Sequence, residues 1–303
     1  MSIQTQTLYR RSKRMTGLLW AALRFVIVFG LAFIILKPFI SKLLMSVMNP
    51  DDLLDPQVLM IPKHLSGYYW KEAWDGLKVS TSLLNSIGLT TTVALLQTLC
   101  SAFVGYGLSR FRFRGRRFLL GMVIMLMIIP PQTYSVAQYL GFRYFGVGEF
   151  TVNLLNSYWP FVLLSIGGLG IKQGLYVYLF YTFFGQLPSS LENAAYIDGA
   201  GAFRCFLQVI LPNARSIIIT VLIFSVSWQW TDVGNSDLYL KSWRVMSTNI
   251  QEIYIRIGLA ADTMGSAIAQ NTACLILIIP ILILFLFCQR AITQSIVHAG
   301  LAN

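Results

Sequence analysis

Six runs of mostly apolar residues, each close to the length that crosses a lipid bilayer, leave this chain few ways to fold. They fall at about 18–39, 83–108, 118–139, 158–184, 217–230 and 272–288. A spanning helix needs about 20 predominantly apolar residues, and in hydrocarbon the backbone must satisfy its own donors and acceptors, which runs of this kind do as helices. The first run contains Arg24 and ends near Lys37, which is tolerable when both side chains reach back to the headgroups. The expectation is an all-α polytopic membrane protein with six transmembrane helices. Composition agrees: 12% of the 303 residues are charged, against about 25% in an average soluble domain.

The charges set the orientation. Arg10, Arg11, Lys13 and Arg14 precede the first run, and Arg110, Arg112, Arg114, Arg116 and Arg117 fill the connection between the second and third. By the positive-inside rule both segments are cytoplasmic, and six spans return the C-terminus, with Arg290, to that side. The net charge of +11 is then a topology signal. A nucleic-acid surface would carry basic residues interleaved with aromatics on a soluble face, so no nucleic-acid partner is expected. Asp51, Asp52, Asp55, Glu72, Asp75, Glu149, Asp232, Asp237, Glu252 and Asp262 fall on the outer side or its rim, which leaves Glu192 and Asp198 as the cytoplasmic acids. The first run continues into Lys37, Pro38 and Phe39 without a cleavage site of small residues, so it is expected to be retained. Cys100, Cys205, Cys274 and Cys288 show no metal or redox spacing, and the histidines are His64 and His298. Neither a metal site nor a catalytic group is expected from them.

The organisation follows: a basic cytoplasmic N-terminus (1–17), a first transmembrane helix (18–44), an outer loop (45–82), a core membrane domain (83–290) and a cytoplasmic tail (291–303). The long outer connections, 45–82 and 232–271, are either docking surfaces for an outside partner or covers on the bundle.

Within the core, the cytoplasmic loop 186–214 carries the most pattern. Ser189 with Glu192 fits a capping box, in which serine and glutamate each satisfy a free backbone donor at a helix start. Gly199 suits the left-handed conformation that closes a helix. A second helical segment, 202–211, meets Pro212 at the turn into the fifth span. Leu191, Ala194 and Ala195 share helical spacing, two of them small; this is either a plug for a groove on another protein or an ordinary helical loop.

Longer spacing separates these readings. Asn193-Ala194-Ala195, three residues, Gly199, nine residues, Val209, one residue, then Leu211-Pro212 resembles the EAA loop of permease subunits of ATP-binding-cassette importers. Gln186-Leu187-Pro188 and Ala194 to Ala200 look most like carbohydrate importers of the maltose-permease G-subunit type. Asn85-Ser86, Gly105 to Phe111, Arg114-Gly115-Arg116, Ile129-Pro130, Trp230 and Gln289-Arg290 extend the resemblance in order across most of the chain. The family's glutamate position holds Asn193, with an acid one place earlier at Glu192, and its usual Trp-Asn is here Trp230-Thr231-Asp232.

The resemblance implies a type I importer permease fold in a bacterial inner membrane. It implies a non-catalytic subunit that binds no cofactor, with ATP and Mg held by partner ATPase subunits. The chain agrees, since it has no G-x-x-x-x-G-K-[ST] phosphate loop. The implied partners are a second permease subunit, favoured as a different chain, two ATPase subunits and an extracytoplasmic solute-binding protein, with a carbohydrate as substrate. The same resemblance makes Glu192, Asn193, Ala194, Ala195, Asp198 and Gly199 the ATPase-coupling loop. A non-sugar cargo such as a glycerol-phosphate compound would fit the same machinery. A membrane enzyme would show a convergent catalytic cluster, and a stand-alone carrier would show inverted repeats or intramembrane acids; neither pattern is apparent.

Lys172 and Gln173, after the glycines at 167, 168 and 170, lie near the bilayer middle. A lysine facing lipid there costs roughly 3 kcal/mol or more. It therefore either lines a substrate pathway with Gln173, with Trp228, Trp230 and Asp232 near the outer end, or bonds carbonyls of a loosened helix while the tryptophans join the interfacial belt. Pro130-Pro131 predicts a kink or break in the third span.

Overall fold

The computed structural model describes residues 3–58, 61–258 and 263–300, without the side chains of 3–16, 54 and 290–300. Asp262 therefore lies outside the described residues, as do the side chains of Arg10, Arg11, Lys13, Arg14, Arg290 and His298.

The chain is helical almost throughout. In order come α1 (Ile3–Ser46), α2 (Tyr68–Leu77), α3 (Val79–Arg110), α4 (Arg116–Ile128), α5 (Ser135–Arg143), a hairpin of β1 (Phe145–Val147) and β2 (Phe150–Val152), α6 (Trp159–Ile166) and α7 (Gln173–Gln186). These are followed by α8 (Ser190–Ile197), α9 (Ala202–Cys205), α10 (Leu211–Asn213), α11 (Arg215–Trp230), α12 (Gly234–Tyr239), α13 (Met246–Gln251), α14 (Ile253–Arg256) and α15 (Met264–Gly300).

Among the described residues, Gly17–Ser46 of α1, all of α3 and Met264–Gln289 of α15 are each long and apolar enough to span alone. The fifth span, α11, joins the α9–α10 segment through an 80° bend. The third and fourth expected runs are not continuous helices. α4 stops at Ile128, Ile129 and Pro130 are extended, and a 3-10 turn at Pro131–Thr133 leads into α5. Two adjacent prolines remove two donors, and each pushes the preceding residue out of the helical region. α6 stops at Gly167, and α7 begins only after Gly168 at φ +77° and Lys172 at φ +57°. The six-span architecture holds, with two spans built in pieces.

The second helical segment of the loop before the fifth span also differs from a single helix over 202–211. α9 passes through a π-turn at Phe206–Ile210, Pro212 sits inside the first turn of α10, and the chain bends at Ala214. A first-turn proline loses no intrahelical bond, so Pro212 does not end the segment.

α3 is the central post, packed on α7, α11 and α6. Gly105 sets its closest approach: a Cβ there would lie 2.5 Å from Phe180 Cβ and 2.9 Å from the Tyr181 backbone nitrogen. Around this contact Tyr106, Tyr176, Phe180, Phe184, Phe206 and Ile210 form a buried cluster. α1 packs on α15 and presents exposed side chains such as Phe25, Phe29, Phe33 and Ile34, which lipid tails solvate without penalty.

The described parts of the connections 45–82 and 232–271 pack on the end of the bundle remote from α8. The Asp52 carboxylate accepts the backbone N–H groups of Lys63 (3.0 Å) and His64 (2.9 Å) and contacts His64 Nδ1 at 2.8 Å. α2 packs on α15, and the Asn249 amide of α13 donates to the Leu77 carbonyl at 2.8 Å.

Candidate functional site

Two regions stand out. At one end of the bundle α8 is held by a buried carboxylate. Glu192 is 8% exposed; its Oε1 accepts the Tyr106 hydroxyl at 2.9 Å and lies 3.4 Å from Arg110 Nε. The Arg110 contact is an ion pair without hydrogen-bond geometry at Nε. Its Nη2 instead donates to the Leu187 carbonyl at 2.6 Å, just before α8. One end of α3 thus grips both the entry to α8 and its first turn.

This arrangement replaces the expected capping box. Ser189 has helical backbone angles (φ −65°, ψ −19°) and its side chain caps nothing, whereas a capping serine sits in the extended region. The carboxylate is instead engaged by the Tyr106 hydroxyl and the Arg110 guanidinium, a charged partner that a backbone donor does not offer. Glu192 therefore turns its carboxylate to α3 rather than to the backbone at the start of α8.

The other end of α8 follows expectation. Gly199 sits at φ +81°, its N–H donates to the Tyr196 carbonyl at 3.0 Å and the Ala200 N–H to the Ala195 carbonyl at 2.9 Å. These two bonds are the left-handed Schellman closure. Ala195 packs inward, while Asn193, Ala194, Asp198 and Ile197, the last 86% exposed, form the outward face. Sequence spacing had grouped Ala194 with Ala195; in the structure Ala195 is buried and Ala194 is exposed.

The second region is a cavity of about 680 Å³ where the broken spans meet. The interruption after α4 contributes Pro130, Pro131, Gln132 and Tyr134, α5 contributes Gln138, residues 168–175 form another wall, and Trp228 with residues 231–235 completes it. Four of the sequence-selected residues, Lys172, Gln173, Trp228 and Asp232, line this space. Lys172 Nζ stands 5.0 Å from the centroid of the Trp228 ring, a cation–π contact.

Gln173 is 1% exposed and clamps the helix break: its Nε2 donates to the Ser165 carbonyl at 2.6 Å and its Oε1 accepts the Gly170 N–H at 2.9 Å. Carbonyls and amides released by the break are thereby satisfied inside the bundle, as the bilayer requires. Gly170 packs directly on the Gln97 amide of α3, and Gln97 Oε1 accepts the Ser225 hydroxyl of α11 at 2.5 Å.

Asp232 caps α12. Its Oδ2 accepts the Ser236 N–H at 2.8 Å and hydroxyl at 2.9 Å, and its Oδ1 accepts the Asn235 N–H at 3.3 Å. Burial pushes its carboxyl above the usual carboxylate range, against the bonds from Ser236 and Asn235 that pull the other way. Trp230 does not line the cavity. It is 6% exposed, and its indole N–H donates to the Leu277 carbonyl of α15 at 2.9 Å.

The sequence reading had missed Gln132, Tyr134 and Gln138 as cavity residues and Gln97 and Ser225 as its supports. Polar side chains inside apolar runs were the available signal for the last two.

Broken membrane helices around a cavity of mixed polar and apolar lining, with a short exposed helix at one end of the bundle, fit a membrane transport subunit. The chain belongs to the family described as binding-protein-dependent transport system inner membrane component, whose model matches residues 97–298. Relatives include the galactooligosaccharides transport system permease protein GanQ of Bacillus subtilis, 27% identical and covering 80% of this chain and 82% of that protein. The maltodextrin transport system permease protein MalD of Streptococcus pneumoniae is 26% identical, covering 92% and 94%. The diacetylchitobiose uptake system permease protein NgcG of Streptomyces coelicolor is 26% identical, covering 87% and 83%. Among solved structures, a chain of a bacterial ABC transporter involved in the import of the acidic polysaccharide alginate superposes with a TM-score of 0.70, 21% identity, and coverage of 92% and 97%. That likeness shows the fold.

Proposed function

We propose that this chain is one permease subunit of a carbohydrate importer driven by ATP. The cavity forms its half of the translocation pathway, and α8 is the point where a partner ATPase acts. The observation that carries the reading is the outward face of α8, set on a helix tied rigidly to α3 by Glu192. Relatives named as permeases for galactooligosaccharides, maltodextrin and diacetylchitobiose support the substrate class. The working assembly contains a second permease, two ATPase subunits that hold ATP and Mg, and an external solute-binding protein. This chain performs no catalysis itself. The α8 end, which carries Arg112, Arg114, Arg116 and Arg117 nearby, faces the cytoplasm.

Two substitutions and one purification test this. Gly199→Val places a β-branched residue at φ +81°, a strain of roughly 1–2 kcal/mol. Uptake should fall at least fivefold while the amount of chain in the membrane stays normal; undiminished uptake would sink the coupling role. Asn193→Glu adds a carboxylate on the exposed face and should leave uptake within twofold of wild type. The purified chain should be inert alone and should gain sugar-stimulated ATP hydrolysis only with its ATPase and binding protein.

A further inference from the structure

The charge balance of the cavity narrows the substrate further. The titratable residues lining it with a formal charge are Lys172 and Asp232. Asp232 spends both carboxylate oxygens on the first turn of α12. Lys172 is exposed to the cavity, and among the described residues no carboxylate forms an ion pair with it. Its Nζ rests over the Trp228 ring, which leaves its N–H donors available.

The backbone fixes the point from which this side chain enters the cavity. Lys172 is in the left-handed conformation at the residue preceding α7, and the break behind it is locked by Gln173 to Ser165 and Gly170. The 14-residue α7 starts at this point, so its positive end adds to the same potential. The same cavity is lined by the neutral polar side chains Gln132, Tyr134, Gln138 and Asn235. The volume of about 680 Å³ lies within the roughly 300–1,000 Å³ of small-ligand sites. A neutral sugar would gain from the aromatic face and the amides but would bring no anion to Lys172, whose ammonium has no direct carboxylate partner among the described residues although Asp232 lines the same cavity.

We propose that the cargo is an acidic carbohydrate, with a carboxylate of a uronic acid residue meeting Lys172 while its ring stacks near Trp228. The inference rests on the carbohydrate reading above and goes one step past it.

The test uses the assembled transporter, with its binding protein and ATPase, in proteoliposomes. The probes are uronate oligosaccharides of two to four units and their carboxyl-reduced, neutral counterparts. The wild type should be stimulated and should transport the acidic probes in preference. Lys172→Met should lose at least tenfold in apparent affinity for the acidic probes while neutral counterparts change less than twofold, and Lys172→Arg should keep the preference. A neutral preference in the wild type, or an equal loss for both classes in Lys172→Met, overturns the inference and leaves the carbohydrate reading standing. The second of those outcomes would mean that Lys172 serves the permease pair rather than the cargo. If no probe of either class stimulates the complex and a non-sugar solute does, the carbohydrate reading falls and takes this inference with it.

Discussion

Glu192→Ala is expected to lower uptake at least tenfold while the chain still inserts and accumulates normally. The carboxylate is where α8 and α3 meet, with the Tyr106 hydroxyl at 2.9 Å and Arg110 Nε at 3.4 Å. Removing it leaves Arg110, whose side chain is 15% exposed, and the buried Tyr106 hydroxyl to find other partners. Breaking a fully buried ion pair from one side costs about 3–5 kcal/mol; partial exposure at Arg110 brings the figure here nearer about 2 kcal/mol. That is small against membrane insertion but large for one short helix, and a tenfold change in an equilibrium needs only about 1.4 kcal/mol. The loss falls on the seating of α8, which a protease cutting within 186–200 would report as faster cleavage. Glu192→Gln keeps an acceptor for Tyr106 and should fall between wild type and alanine. Asp198→Ala, on the exposed face, should leave cleavage unchanged. Wild-type uptake and cleavage in Glu192→Ala would show that α8 holds its position without the carboxylate.

The two ends of α8 show what a sequence makes legible. The turn at Gly199 closes the helix through bonds spanning three residues (Gly199 to Tyr196) and five (Ala200 to Ala195), and local geometry of that kind is written in local spacing. Glu192 carried a local signal too, the capping-box pattern with Ser189, and the signal misled. Its partner Tyr106 lies 86 residues earlier, so tertiary pairing overrode the local option. The cavity was half legible. Lys172 in an apolar run had to face something polar, and the prolines and glycines marked both breaks. Trp230 was not legible, because an indole at a membrane interface and one buried against a carbonyl 47 residues later look alike in a sequence. The clamp between Gln97, Ser225, Gly170 and Gln173 was beyond reach for the same reason: it joins three elements that only the packed bundle brings together.

The same central post makes Gly105→Leu the most damaging single substitution expected in the membrane region. At Gly105 the first added carbon would meet Phe180 Cβ at 2.5 Å, the Tyr181 nitrogen at 2.9 Å and the Phe180 carbonyl carbon at 3.1 Å. Two of these atoms are backbone, so no rotamer change can make room, and α7 must move away from α3. Overpacking of this kind costs about 1–3 kcal/mol where side chains can yield, and more where they cannot. In lipid the loss weighs heavily, because helix pairs there rely on close packing around small residues rather than on water exclusion. Displacing α7 also disturbs Phe180 and Phe184, which belong to the cluster that supports Tyr106 and the inner face of α8. Gly107 provides an internal control: it lies two residues along the same helix, and a Cβ there has nothing within 4 Å. Gly105→Leu should reduce the detergent-extracted, thermally stable chain at least fivefold and abolish uptake, while Gly107→Leu stays within twofold of wild type on both measures. Equal behaviour of the two variants would mean that the α3–α7 contact is looser than its geometry, and that the rigid link from cavity to α8 lies elsewhere in the bundle.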